Sequence, residues 1–292
     1  MLASTEWLAS HLDDPGLVVV DLRWREDGSG RMEYEQAHIP GAVFLDWATD
    51  LVDPGNPVAF MLADPGRFAA VMERAGIGDA SAVVAYADRL GSGPFRLWWA
   101  CRVYGHDIVR VLDGGFDAWR RAGRPVERGP VSPEPAVTPF TPSFDPRLVA
   151  RIEDVEEARS APDTVVLDSR PADQFRGEAV WFETGPIAAD PDGVARTPRG
   201  AIRAGRVPWA VNVPAASLYH EDATLKTPDE LRSLLSRVGM QQYARVVTYC
   251  GVGLSAAALA FALRSAGIDE VALYDASWEE WGRDPQRPVA RS

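Results

Sequence analysis

The chain has 292 residues, 46% of them hydrophobic, enough for two cores of ordinary domain size. Its 30 Lys+Arg stand against 42 Asp+Glu, and the net charge of −12 argues against nucleic acid or an anionic membrane as a partner. The opening MLASTEWLASHLDDPG has no basic stretch and no apolar run of signal-peptide type. No segment approaches the roughly 18 apolar residues of a membrane span, so the expected location is the cytoplasm.

In chain order, short β-branched runs alternate with helix-like segments. STEWLASHL (4–12) precedes LVVVDLR (17–23); HIPGAVFLD (38–46) leads to ADPGRFAAVMERAG (63–76) and then AVVAYA (82–87). GPFRLWWACRVYG (93–105) precedes IVRVLDGG (108–115). Strands followed by helices in regular alternation point to a parallel sheet covered on both faces. Cys101 lies inside the helical stretch among tryptophans, where packing is the expected role. Residues 121–146, RAGRPVERGPVSPEPAVTPFTPSFDP, lack periodicity and are rich in Pro, Ser and Thr. They read as an extended linker. The expected domains are therefore 1–125 and 145–292, joined by 126–144.

Beyond the linker the pattern repeats. VVLDSR (165–170) echoes VVVDLR, RVPWAVNVP (206–214) echoes HIPGAVFLD, and GMQQYARVVTYC, ending at Cys250, lines up with GIGDASAVVAYA, ending at Ala87. The segment ending LYDASWEEW at Trp281 lines up with the one ending VLDGGFDAW at Trp119. Two copies at so long a period mean duplicated domains rather than a solenoid.

The second copy holds Cys250 where the first holds Ala87. A β-branched run ends at this cysteine, glycines follow at 251 and 253, and an alanine-rich helix begins. That layout leaves backbone N–H groups unpaired, and the positive end of the helix dipole favours a thiolate nucleophile. A small buried hydrophobe at a strand end is the other reading of the same residues. Two cysteines in so long a chain do not form a disulfide framework, and no Cys/His spacing suits a metal, so neither metal nor cofactor is expected.

Taken together, the duplicated halves, HIPGAVFLD, the VLDGG and LYDAS segments and the YCGVGLSA loop resemble the two-domain rhodanese family, the thiosulfate and 3-mercaptopyruvate sulfurtransferases. The resemblance covers nearly the whole chain. It implies an α/β protein of two tandem rhodanese-like domains, each a parallel sheet flanked by helices. Only the C-terminal domain would be catalytic, its Cys250 taking sulfur from a small donor as a persulfide and passing it to a thiol or cyanide. The amides from Gly251 through Val252, Gly253 and Leu254 to Ser255 would cradle the persulfide anion. Leu254 is expected to pack under the loop and Ser255 to cap the helix. Phosphatases on the same fold need C-x₅-R, and here residue 256 is Ala.

The neutral C-G-V-G loop is closer to the mercaptopyruvate form than to the doubly cationic C-R-K-G of thiosulfate enzymes. A carboxylate donor needs an arginine, and Arg196, Arg199, Arg203 and Arg206 cluster ahead of the second RVPWAVN segment. TPRGAIRAGRVP places Arg199 at the family's substrate-binding arginine. A second such arginine is replaced by Gln174; either Arg176, two residues later, is its substitute or the site holds one arginine fewer. The insertion 179–197 would cover the cleft, with Trp181 and Phe182 as an apolar lid.

One family feature is missing altogether. A Ser–His–Asp relay, attributed to mercaptopyruvate enzymes, is replaced by Val252, Phe60 and Ala48. A catalytically weak docking or sulfur-relay protein therefore stands as the alternative to an active enzyme. His38 is expected to be structural, and a monomer is expected to suffice.

Overall fold

The computed structural model describes residues 1–88, 91–182 and 185–291; the side chains of Phe182 and Gln241 lie outside the described part. The chain divides into two units. The first comprises Met1–Pro54, Leu62–Asp145 and Tyr219–Leu225, the second Gly55–Met61, Pro146–Leu218 and Lys226–Ser292.

In the first unit, β1 (Leu2–Ala3), β2 (Leu17–Asp21), β3 (Val43–Phe44), β4 (Ala82–Tyr86) and β5 (Val109–Leu112) form a parallel sheet in the order β1-β5-β4-β2-β3. Helices α1 (Thr5–His11), α2 (Gly30–Gln36), α3 (Pro65–Arg74), α4 (Gly93–Val103) and α5 (Gly115–Arg121) flank it. Local chemistry sets where they start. Ser4 accepts from the Trp7 amide ahead of α1, and Asp64 accepts from Gly66 and Arg67 where Pro65 opens α3. Residues 122–145 form no helix or named strand. They are tied to the unit by backbone bonds between His38 and Glu127 and by the buried ring of Phe140.

The second unit repeats the plan. Strands β6 (Val149–Ala150), β7 (Thr164–Asp168), β12 (Val211–Asn212), β13 (Arg245–Tyr249) and β14 (Val271–Tyr274) are parallel in the order β12-β7-β13-β14-β6. Between β7 and β12 lie two antiparallel hairpins, β8 (Ala179–Phe182) with β9 (Gly185–Ala188) inside the insertion, and β10 (Val194–Thr197) at its end with β11 (Gly200–Arg203) just beyond it. The helices are α6 (Ile152–Glu157), α7 (Ala172–Arg176), α8 (Pro228–Ser236), α9 (Leu254–Ser265) and α10 (Ser277–Trp281). A reciprocal Thr227–Glu230 capping box and Pro228 start α8. Among the described residues no helix is long and apolar enough to cross a membrane.

Both central strands are buried almost throughout, which is why AVVAY and VVTY read as continuous apolar runs rather than alternating ones. The duplication holds at atomic level. Asp21 at the end of β2 pairs with the Arg23 side chain, whose Nη2 donates to the Ala37 carbonyl at 2.7 Å. Asp168 at the end of β7 pairs in the same way with Arg170, whose Nη2 donates to Gly205 at 2.7 Å. Each arginine lies over an aromatic ring, Phe116 at 4.2 Å and Trp278 at 4.4 Å. The Nη1 of Arg170 is left without a hydrogen-bond partner, and such a buried pair fixes the strand end rather than adding much net stability.

Candidate active site

Cys250 follows β13, the central strand of the second sheet, and Gly253, in the left-handed region at φ +76°, turns the chain into α9. In a parallel sheet the carboxyl edge of a central strand is where reactive groups collect. Cys250 is 2% exposed. Its carbonyl accepts from the Trp278 amide and that of Gly251 from the Glu279 amide, both at 3.0 Å, so α10 holds the loop from one side.

The side chain that organises the loop is Ser277. Its hydroxyl accepts from the amides of Cys250 and Gly253, both at 3.1 Å, and donates to the Tyr274 carbonyl at 2.8 Å. Ser277 is wholly buried and adopts φ +52°, an uncommon backbone conformation for a residue with a β-carbon. Among the described residues the amides of Gly251, Val252, Leu254 and Ser255 have no partner, and these remain for an anion on the cysteine sulfur.

Two expectations about the loop are corrected here. The Gly253 amide is not part of the cradle, because Ser277 occupies it. Ser255 does not cap α9; the cap position is Gly253, and the Ser255 hydroxyl pairs with that of Ser169 at 3.0 Å. Its place in the helix's first turn carries its side chain toward the β7 end instead. Val252 is buried, while Leu254 is only half-buried.

The arginine cluster disperses. Arg196 pairs with Asp190 at the surface. Arg203 donates to the carbonyls of Trp281, Gly282, Asp284 and Arg287, locking β11 to the C-terminal segment. Arg206 lies over Phe175 at 4.7 Å. Arg199 is the member placed beside the loop. Its Nε lies 3.3 Å from the Oε1 of Glu279, whose own amide holds Gly251, and its guanidinium lies 5.3 Å from the Phe60 ring centroid.

Arg176 does not replace Gln174. It is about half exposed and forks onto Glu178 at 2.6 and 3.1 Å, whereas Gln174 is buried with its Oε1 unpartnered. Two residues along a helix is a turn of roughly 200°, so the two side chains leave α7 on different faces.

Trp181, on β8, lies over the loop. A β-carbon at Gly251 would fall 3.5 Å from Trp181 Cβ, and the Trp181 ring meets Phe60 edge-on at 6.2 Å. The insertion thus brings an aromatic cover against the cysteine loop. Phe182, paired with it in the sequence reading, has a side chain outside the described residues. Phe60 stands at φ +62° in the Gly55–Met61 segment of this unit.

The first unit shows what the same framework does without a thiol. Phe116 donates to Ala87 at 2.8 Å as Trp278 does to Cys250, but Gly115 stands where Ser277 would. The cavity there, lined by Ala87, Pro94, Gly115, Tyr219 and Leu225, is about 20 Å³, room for one water. The other cysteine, Cys101, is fully buried in α4, and burial pushes its thiol up, away from the reactive thiolate. His38 is buried, stacked on Tyr34 and bonded through Nδ1 to the Tyr34 carbonyl at 2.8 Å.

Sequence reasoning missed Ser277, although a signal was present. The residue aligned with Gly115 changes to serine in the same half where Ala87 changes to cysteine. Ser277→Gly keeps the left-handed backbone and removes the hydroxyl, orphaning two loop amides. We expect kcat to fall about tenfold, ~1.4 kcal/mol of barrier, with little change in KM. Steady-state kinetics unaltered in the variant would make the hydroxyl mere filling.

The rhodanese-like domain family model matches residues 4–122 and 151–284. A 3-mercaptopyruvate sulfurtransferase of Escherichia coli strain K12 is 34% identical over 290 residues, 97% of this chain and 95% of the relative. A thiosulfate sulfurtransferase of Cricetulus griseus is 35% identical over 289 residues, 96% and 91% of the two chains. The crystal structure of SseA from Escherichia coli superposes with a TM-score of 0.77 at 32% identity, covering 95% of this chain and 98% of that one. The chain belongs to the rhodanese family and carries its domain in two copies.

Proposed function

We propose that this protein is a sulfurtransferase that carries sulfur as a persulfide on Cys250 and takes it from 3-mercaptopyruvate in preference to thiosulfate. The Cys250 thiolate attacks the donor's sulfur and an S–S bond forms. In mercaptopyruvate the C–S bond breaks, and the electron pair left on carbon takes up the thiol proton to give pyruvate. In thiosulfate the S–S bond breaks and sulfite leaves. An acceptor thiolate or cyanide then attacks the outer sulfur and returns Cys250 as thiolate. The observation that carries the reading is the loop itself: a cysteine at the sheet's carboxyl edge, its loop carbonyls tied to α10, with four neighbouring amides left for the persulfide charge. The substrate-binding assignments of Arg199, Gly251, Val252, Leu254 and Ser255 rest on this geometry.

Donor preference follows from charge. Mercaptopyruvate presents one carboxylate, which a single arginine can meet; thiosulfate is a dianion whose desolvation costs several kcal/mol unless cations face it. The loop is neutral, and a β-carbon at Gly251 would stand in ordinary contact with Trp181, 3.5 Å from its Cβ. We expect kcat/KM to be higher for 3-mercaptopyruvate than for thiosulfate, with cyanide as acceptor. Turnover should be modest, because lack of the proton relay typically costs a factor of about 10²–10⁴. A clear win for thiosulfate overturns the charge criterion. Intact mass after donor treatment tests the chemistry itself: one added sulfur on Cys250 supports transfer, and none supports the docking reading. We further propose that the protein acts in the cytoplasm as a monomer, with halves 1–125 and 145–292 joined by 126–144.

A further inference from the structure

A carboxylate of the protein itself lies against the candidate donor-binding arginine. Glu279 is 8% exposed, and two guanidinium groups converge on its Oε1, Arg199 through Nε at 3.3 Å and Arg283 through Nε at 2.7 Å. Arg283 is fixed independently. It donates to the carbonyls of Arg199 and Ala201 at 3.1 and 3.2 Å and to the Thr197 hydroxyl at 3.3 Å, which pins the β10–β11 turn to α10. Glu279 is fixed as well, since its amide donates to the Gly251 carbonyl within the cysteine loop. The carboxylate therefore keeps a set place between the loop and Arg199.

We propose that Glu279 is a specificity-determining residue, an internal carboxylate that competes with the donor for Arg199 and sets the net charge the site accepts. The inference rests on the reading of Arg199 as the donor's anchor. With Glu279 in place, Arg199 offers a charge already shared with a carboxylate of the protein. A donor bearing a single carboxylate can exchange with it, like for like, in the planar geometry guanidinium favours. A dianion meets the same arginine plus one uncompensated repulsion. Removing the Glu279 charge relieves that repulsion, and the Coulomb gain scales with ligand charge, so thiosulfate gains more than mercaptopyruvate.

The test is Glu279→Gln, which keeps shape and hydrogen bonding and removes one charge, assayed with both donors and cyanide at low ionic strength. We expect kcat/KM for thiosulfate to rise about three- to tenfold, chiefly through KM, and the rise for mercaptopyruvate to be smaller; partial exposure of Arg199 keeps the effect in this range. Glu279→Asp should retain the native donor ratio, and added salt should shrink the difference between native enzyme and Gln variant. The same substitution in an Arg199→Ala background should leave the donor ratio where Arg199→Ala alone puts it. If Arg199→Ala impairs both donors while Glu279→Gln leaves their ratio unchanged, the competition does not exist and the anchor stands. If Arg199→Ala is itself silent, the anchor reading fails and takes this inference with it.

Discussion

Cys250→Ser is expected to abolish sulfur transfer and leave the fold intact. An alkoxide is not available at neutral pH, and an oxygen nucleophile cannot hold the transferred sulfur as a persulfide. The substitution exchanges one small side-chain atom for another, while the backbone bonds of residue 250 to Ser277 and Trp278 are unaffected. The variant should show no added sulfur after donor treatment and no thiocyanate formation above background, with a normal thermal transition. Cys101→Ser is the control. It should retain turnover and lose about 1–3 kcal/mol of stability, the cost of a hydroxyl placed in the apolar interior of α4. An active Cys250 variant beside a dead Cys101 variant would move the site to the other cysteine.

Arg199→Ala is expected to have the second-largest effect. It removes a charge-assisted contact to the donor carboxylate worth about 1.5–3 kcal/mol, which corresponds to about a tenfold to hundredfold loss in kcat/KM for mercaptopyruvate. Arg176→Ala should be near neutral, because that side chain is committed to an exposed pair with Glu178. The contrast between the two is the informative result. Equal losses would mean that the anchor is shared, and no loss in either would place it elsewhere.

What the sequence revealed and what it hid divide along a physical line. Periodicity and composition report burial, so the strand–helix alternation, the duplication and the position of Cys250 at a strand end were readable from VVTYC-G-V-G and its echo in AVVAYA. Arg199 lies beside the loop through Glu279, whereas Arg176 turns to Glu178, since linear proximity to Gln174 says nothing of which helix face a side chain takes. Four arginines in eleven residues looked like one electropositive patch. In the fold, Arg196, Arg203 and Arg206 satisfy Asp190, backbone carbonyls and an aromatic ring. Glu279 and Ser277 were hidden for a different reason. They act across a separation of more than twenty residues, and neither belongs to a pattern that local spacing expresses.

The glycine aligned with Ser277 sets a steric limit on the first unit. At Gly115 the backbone sits at φ +57°, and a β-carbon there would fall 2.1 Å from the Ala87 carbonyl oxygen. Restoring a thiol at residue 87 would therefore not restore its seat, because the serine that holds the active loop cannot be introduced without moving the strand end. Tyr219 and Leu225 line the cavity beside Ala87, which is about 20 Å³. With Gly115 packed against the Ala87 carbonyl, no single substitution supplies both a thiol and the serine that would seat it.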